Sequence, residues 1–199
     1  MGILDKLFGK KQDAPKNEVA DETSQIENNA SNEIKNNSVE KLNINTSQTP
    51  EKFLHLTDEI LEFLINKLQE INSLEQEIFE RSKSLKNPKE PNQLQPGEKE
   101  LWAEYAKRRK EITNPISLNQ SEEGSRSFGK PTKYEYLKYP DTQISFIMKS
   151  ANRAVIEIIY EYGIKSKDQF ILKKEGENWK IDSKKYGFPD ESTWHKDEL

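Results

Sequence analysis

The chain is 199 residues long, carries a formal net charge of −4 and has a mean hydropathy of −1.00, with 32% hydrophobic against 33% charged residues. That balance excludes a core running through the whole length, so a substantial part is expected to stay solvated. Cysteine is absent, which excludes disulfides, thiolate catalysis and cysteine-held metals, and the two histidines would leave a zinc site to carboxylates, an uncommon donor set.

Residues 1–11 place Ile3, Leu4, Leu7 and Phe8 on one side of a short helix with lysines opposite. This is the pattern of a weak interfacial anchor or docking peptide. Lys6 stands where a myristoylation signal needs Ser or Thr. Residues 12–48 are rich in Asn, Ser, Glu, Lys and Asp, and hold too little apolar surface to offset the entropy of ordering. They read as a disordered spacer. No apolar run approaches the roughly 20 residues of a membrane span, and the N-terminus lacks the apolar centre of a signal peptide. The terminal Lys196-Asp197-Glu198-Leu199 and the sequons at Asn29, Asn36 and Asn45 are therefore read as accidental, and the expected location is cytoplasmic, peripheral to a membrane if residues 1–11 dock there.

A folded domain is expected over residues 49–199. Thr49 is placed to cap a helix whose first residue is Pro50. Phe53, Leu56, Ile60, Leu61, Leu64, Leu68, Ile71, Leu74 and Ile78 recur at helical spacing to about Ser84, with a potential break at Asn72-Ser73. Prolines mark a linker from Asn87 to Gly97, and a second helix runs from Glu98 to about Thr113. Within it, Lys107-Arg108-Arg109-Lys110 lies beside Glu104 and Glu111 and reads as a solvated face. No acidic or basic block points to a nucleic-acid partner.

Beyond a loop over residues 114–131 the period becomes that of strands. Tyr134, Tyr136 and Tyr139 form an aromatic run, Ile144–Met148 a strand, and Ala154–Tyr162 a longer one with Ile156, Ile158, Tyr160 and Tyr162 on one face. Glu157 and Glu161 fall on the other, roughly 13 Å apart at ~3.3 Å per residue. That is too far for a glycosidase pair. Gln169–Phe188 reads as a hairpin: Phe170 and Leu172 alternate with Ile171 and Lys173, and Trp179 and Ile181 with Lys180 and Asp182, around Glu175-Gly176-Glu177-Asn178, where Gly176 and Asn178 can take positive φ. Helices followed by about four antiparallel strands make an α+β fold, with the helices packed on a curved sheet.

The ending Phe170–Asp182 is similar to the last two strands of domains with the nuclear transport factor two-like fold, a cone of helices against a bent sheet. Ser183-Lys184-Lys185-Tyr186-Gly187-Phe188, Trp194-His195-Lys196-Asp197-Glu198-Leu199 and Gly129-Lys130-Pro131-Thr132-Lys133-Tyr134 narrow the likeness. They resemble bacterial immunity proteins of that fold, which neutralise a cognate polymorphic toxin. The resemblance spans roughly Leu101 to Leu199 and implies a protein partner, no cofactor, no metal and no catalytic residue. The expected anchors for the toxin are Tyr186, Trp194, Tyr160 and Tyr162, since aromatic residues dominate such interfaces. Two other functions stay open: an interaction module tethered by residues 1–11, and an isomerase-type enzyme drawing on Asp182, Tyr160 or His195.

Overall fold

The computed structural model describes residues 42–90, 93–119, 128, 131, 133–139 and 141–199, apart from the side chain of Tyr162. The segment expected over residues 1–11 and the spacer as far as residue 41 lie outside the described residues. The fold is α+β, with two helices and one six-stranded mixed sheet. Strand β1 (Asn43–Asn45) comes first, followed by a 3-10 turn (Glu51–Leu56) that runs into helix α1 (Thr57–Leu85). Helix α2 (Glu98–Thr113) and 3-10 turns at Asn114–Ile116 and Glu135–Lys138 lead to the other strands. These are β2 (Gln143–Ser150), β3 (Arg153–Tyr162), β4 (Ile164–Glu175), β5 (Asn178–Gly187) and β6 (His195–Asp197). Strand order follows chain order; β1 runs parallel to β2, and every other neighbouring pair is antiparallel.

The apolar stripe of α1 divides into two uses. Ile60, Leu61, Leu64, Ile65, Leu68 and Ile71 are buried against Ile144, Phe146, Met148, Ile156, Ile158, Phe170 and Leu172 on one face of the sheet, here called the inner face. Further along, Leu74 and Ile78 turn to Leu101 and Tyr105 of α2. The helix does not break at Asn72. Its side-chain amide donates to the carbonyl of Lys133 at 2.7 Å, so this buried polar residue pins a loop instead of interrupting the helix. The α1–α2 seam carries a paired Arg81–Glu104 and Arg108–Glu77 network at 2.7 Å, exposed enough to add little stability.

Three expectations about local structure are corrected. The aromatic run at Tyr134 is not a strand but enters a 3-10 turn, fixed by Thr142, whose hydroxyl donates to the Tyr136 carbonyl at 2.6 Å. Asn178 opens β5 without positive φ; Gly176 alone supplies it (φ 61°) in a two-residue turn of the type II′ kind. The sheet has six strands, one of them parallel to its neighbour, where about four antiparallel strands were expected; the two additional strands are three residues long, β1 arising at the end of the expected spacer.

Thr49 caps no helix. Its hydroxyl donates to the Phe146 carbonyl at 2.7 Å and accepts from the Met148 amide at 3.1 Å, serving the edge of β2 beyond the short β1. Thr49→Val should leave both buried backbone groups unpaired and cost about 1–3 kcal/mol. A lowered urea midpoint with an unchanged slope would show it; an unchanged midpoint would assign those groups to water.

Candidate functional site

One end of the inner face is not covered by apolar side chains. A cavity of about 450 Å³ opens there, walled by Lys133, Tyr134, Tyr136, Tyr160, Ser166, Asp168, Lys184, Tyr186 and Asp197. Strand parity places most of these. Asp168 follows the same alternation as Phe170 and Leu172, so it faces inward and is buried. Lys184 and Tyr186 need an irregularity. Ile181 pairs with Leu172 while Ser183 pairs with Ile171, which makes Asp182 an extra residue in β5. Before that bulge the odd-numbered Trp179 and Ile181 face inward; after it the even-numbered Lys184 and Tyr186 do. A bulge thus re-aims a strand beside a site. Its carbonyl is held by the Asn119 side chain at 2.8 Å.

The polar groups of the cavity form a connected set. Asp168 accepts from the Tyr136 hydroxyl at 2.9 Å and lies 3.6 Å from the Lys184 ammonium. Lys184 also pairs with Asp197 of β6. Tyr136 stacks on Tyr160 with ring centres 4.0 Å apart. Tyr134 takes the left-handed backbone conformation (φ 59°), the sole non-glycine to do so among the described residues, and its buried hydroxyl has no partner. Strain of this kind concentrates at functional sites. Lys133 donates to the Glu198 carbonyl at 2.7 Å, and Arg109 reaches the backbone oxygen of Leu199.

Burial sets the electrostatics. It pushes the Asp168 carboxyl above its ordinary value, only partly offset by Lys184 and Tyr136. It lowers Lys133 to about 8, assisted by the nearby charges of Lys184 and Arg109. Glu75 of α1 is raised by burial although it accepts from the Tyr105 hydroxyl at 3.0 Å.

The residues expected to meet a partner are divided by the sheet. Tyr160 and Tyr186 both line the cavity, and Tyr186 tilts against His195 at 5.1 Å. Trp194 lies on the outer face, under the ammonium of Lys167 at 4.4 Å and beside Gly187, where a Cβ would meet the Thr193 carbonyl. The side chain of Tyr162 lies outside the described residues. Of the residues considered for catalysis, Asp182 sits at the bulge in an ion pair with Lys173 at 3.0 Å, away from the cavity wall, and His195 is exposed. Asp168, Lys184, Lys133, Tyr134 and Tyr136 were not anticipated. Parity with Phe170 signals Asp168, whereas nothing in the sequence marks the bulge that brings in Lys184.

The terminal Lys-Asp-Glu-Leu is part of this architecture: Lys196 and Asp197 pair with β5, and Glu198 and Leu199 accept from the site's cations. No described group of His, Asp or Glu is arranged to hold a metal ion, and no described helix is long and apolar enough to cross a membrane. No family model, curated protein or solved structure matches the chain.

Proposed function

We propose that this chain is an immunity protein built on the nuclear transport factor two-like fold, which binds a cognate bacterial toxin domain one-to-one and blocks it without catalysis. The observation that carries this reading is the rim of the cavity. Ile164, Tyr186 and Phe188 are three of the five exposed large hydrophobic residues among those described. Ile164 opens β4, Tyr186 lies near the end of β5 and Phe188 directly follows it, so all three fall at one end of the β4–β5 pair on the parity of the inner face. Exposed apolar and aromatic residues beside a polar hollow, Tyr186 lining it directly, are the anatomy of an interaction hot spot. The resemblance of Tyr186-Gly187-Phe188 and of the β6 segment to immunity proteins supports the same end of the sheet.

A toxin seated here would cover roughly 800 Å² of this protein in an interface of standard size. The test is the viable count of bacteria producing the toxin domain encoded beside this gene, with and without this chain. Rescue and a one-to-one complex are expected. Tyr186→Ala should weaken the complex by about 2 kcal/mol, some thirtyfold, while stability stays within about 0.5 kcal/mol. Trp194→Ala, on the outer face, should change affinity far less. Absence of rescue by the wild-type chain would sink the reading, and equal losses for both variants would displace the interface from the rim.

A further inference from the structure

Behind the rim, the cavity holds hydrogen-bond donors that the protein itself leaves unmet. Its two carboxylates are already served, because Asp168 and Asp197 share the Lys184 ammonium and Asp168 also accepts from Tyr136. Its second cation is not served in the same way. Lys133 has a backbone carbonyl as its hydrogen-bond partner and forms no ion pair with a carboxylate of the described residues. The Tyr134 ring lies near both ammonium groups, 5.6 Å from Lys133 Nζ and 5.4 Å from Lys184 Nζ. Its hydroxyl is buried and unpartnered, as is Nε of the neighbouring Arg109. Keeping a hydroxyl buried without a partner, on a backbone in the left-handed region, destabilises the fold for no structural return. An incoming cation would meet two lysines in the wall. An incoming anion would find an ammonium in no direct ion pair, attracted only at longer range by Asp197 and Glu75, and donors to spare.

We propose that this cavity binds a carboxylate carried on a flat apolar body, with Lys133 as its counter-ion, Tyr134 as a second donor and the stacked Tyr136–Tyr160 pair as the apolar wall. The volume of about 450 Å³ accommodates a ring as well as the carboxylate. Burial, with repulsion from Lys184 and Arg109, lowers Lys133 to about 8 against the pull of Asp197 and Glu75, and a bound anion would raise it again. Two sources share this chemistry: a free aromatic acid, and an acidic side chain flanked by an aromatic one in a docked peptide. The proposal does not depend on the toxin reading, and its test uses the isolated protein, so either can fail alone.

The experiment is calorimetric titration of the full chain with benzoate, with the peptide acetyl-Phe-Glu-Ala-amide, and with benzylammonium as the cationic counterpart. Benzoate is expected to bind with a dissociation constant of about 1 mM or tighter. Lys133→Met should weaken it at least tenfold and Lys133→Arg should restore it, as a counter-ion role requires. Tyr134→Phe should weaken binding severalfold without lowering the thermal midpoint, a combination that a purely structural hydroxyl would not give. Binding of benzoate alone assigns the site to free organic acids, and binding of the peptide alone assigns it to an acidic side chain. Stronger binding of benzylammonium, no binding of either carboxylate, or an affinity indifferent to Lys133→Met would each overturn the proposal.

Discussion

Replacing Lys184 by methionine is expected to lower stability by about 3–5 kcal/mol, the cost of removing one partner from a buried ionic cluster. Lys184 is 5% exposed and Asp168 is 3% exposed. Methionine fills the space of the lysine stem, so the loss reports the charge and not a void. Without the ammonium, Asp168 and Asp197 face each other across the cavity floor. The pH dependence supplies a second signature. In the wild type, burial pushes the Asp197 carboxyl up, but the adjacent Lys184 more than offsets this and holds it below its ordinary value of 3.8. Its contribution is therefore present above the unfolded value and lost as the pH falls through the folded one. Asp168 has the opposite sign: its folded value is raised, so protonation relieves a cost. Removing Lys184 raises Asp168 further and leaves Asp197 with only Lys133 and a backbone hydrogen bond to set against its burial. The variant should gain stability between pH 7 and pH 5, as urea unfolding at the two values would record. Adding Asp168→Asn and Asp197→Asn should recover most of the loss at pH 7. A loss under about 1 kcal/mol, with no pH effect, would show the cluster to be solvated.

The legible parts of the fold were those carried by a repeating pattern. The stripe from Ile60 to Ile78 named the buried face of α1 correctly, because burial needs nothing beyond 3.6-residue spacing. Ile156 and Ile158 were likewise assigned to the inner face of β3, and both are fully buried. The candidate site was legible only where it stayed within such a pattern. Tyr160 continues the alternation of Ile158 and does reach the cavity. Lys184 breaks the alternation: extending period two from Ile181 would put Ser183 and Lys185 inside, and the one-residue bulge at Asp182 reverses this. Tyr134 and Tyr136 were hidden differently. Their spacing imitates a strand, and the 3-10 turn they form is imposed from a distance, by Asn72 on the Lys133 carbonyl and by Thr142 on the Tyr136 carbonyl. Trp194 was grouped with Tyr186 by residue type, but which face it meets depends on how the chain crosses Gly187, and local sequence does not encode that.

Phe170→Ala is expected to cost about 3–5 kcal/mol, as large-to-small changes in a closed core do. Phe170 is fully buried at the centre of β4, directly opposite Ile156 of β3 on one side and Lys184 of β5 on the other. Antiparallel partners on both sides keep the backbone from collapsing into the space left, so most of the void should persist. Its position joins the core to the site. The ring lies 6.3 Å from that of Tyr134 and beneath the ammonium of Lys184, separating the polar cavity from the aliphatic layer of α1. Truncation therefore should deepen the cavity toward Leu64 and Leu68 and free Tyr134 to leave its left-handed conformation. Phe170→Leu keeps much of the partition and should cost considerably less, while Ile164→Ala, at 69% exposure, should stay within about 0.5 kcal/mol. Urea unfolding of the three variants ranks them directly. If Phe170→Ala fell no further than Phe170→Leu, the β4 backbone would have closed over the gap, and the cavity floor would owe its shape to Asp168 and Lys184 and not to the ring beneath them.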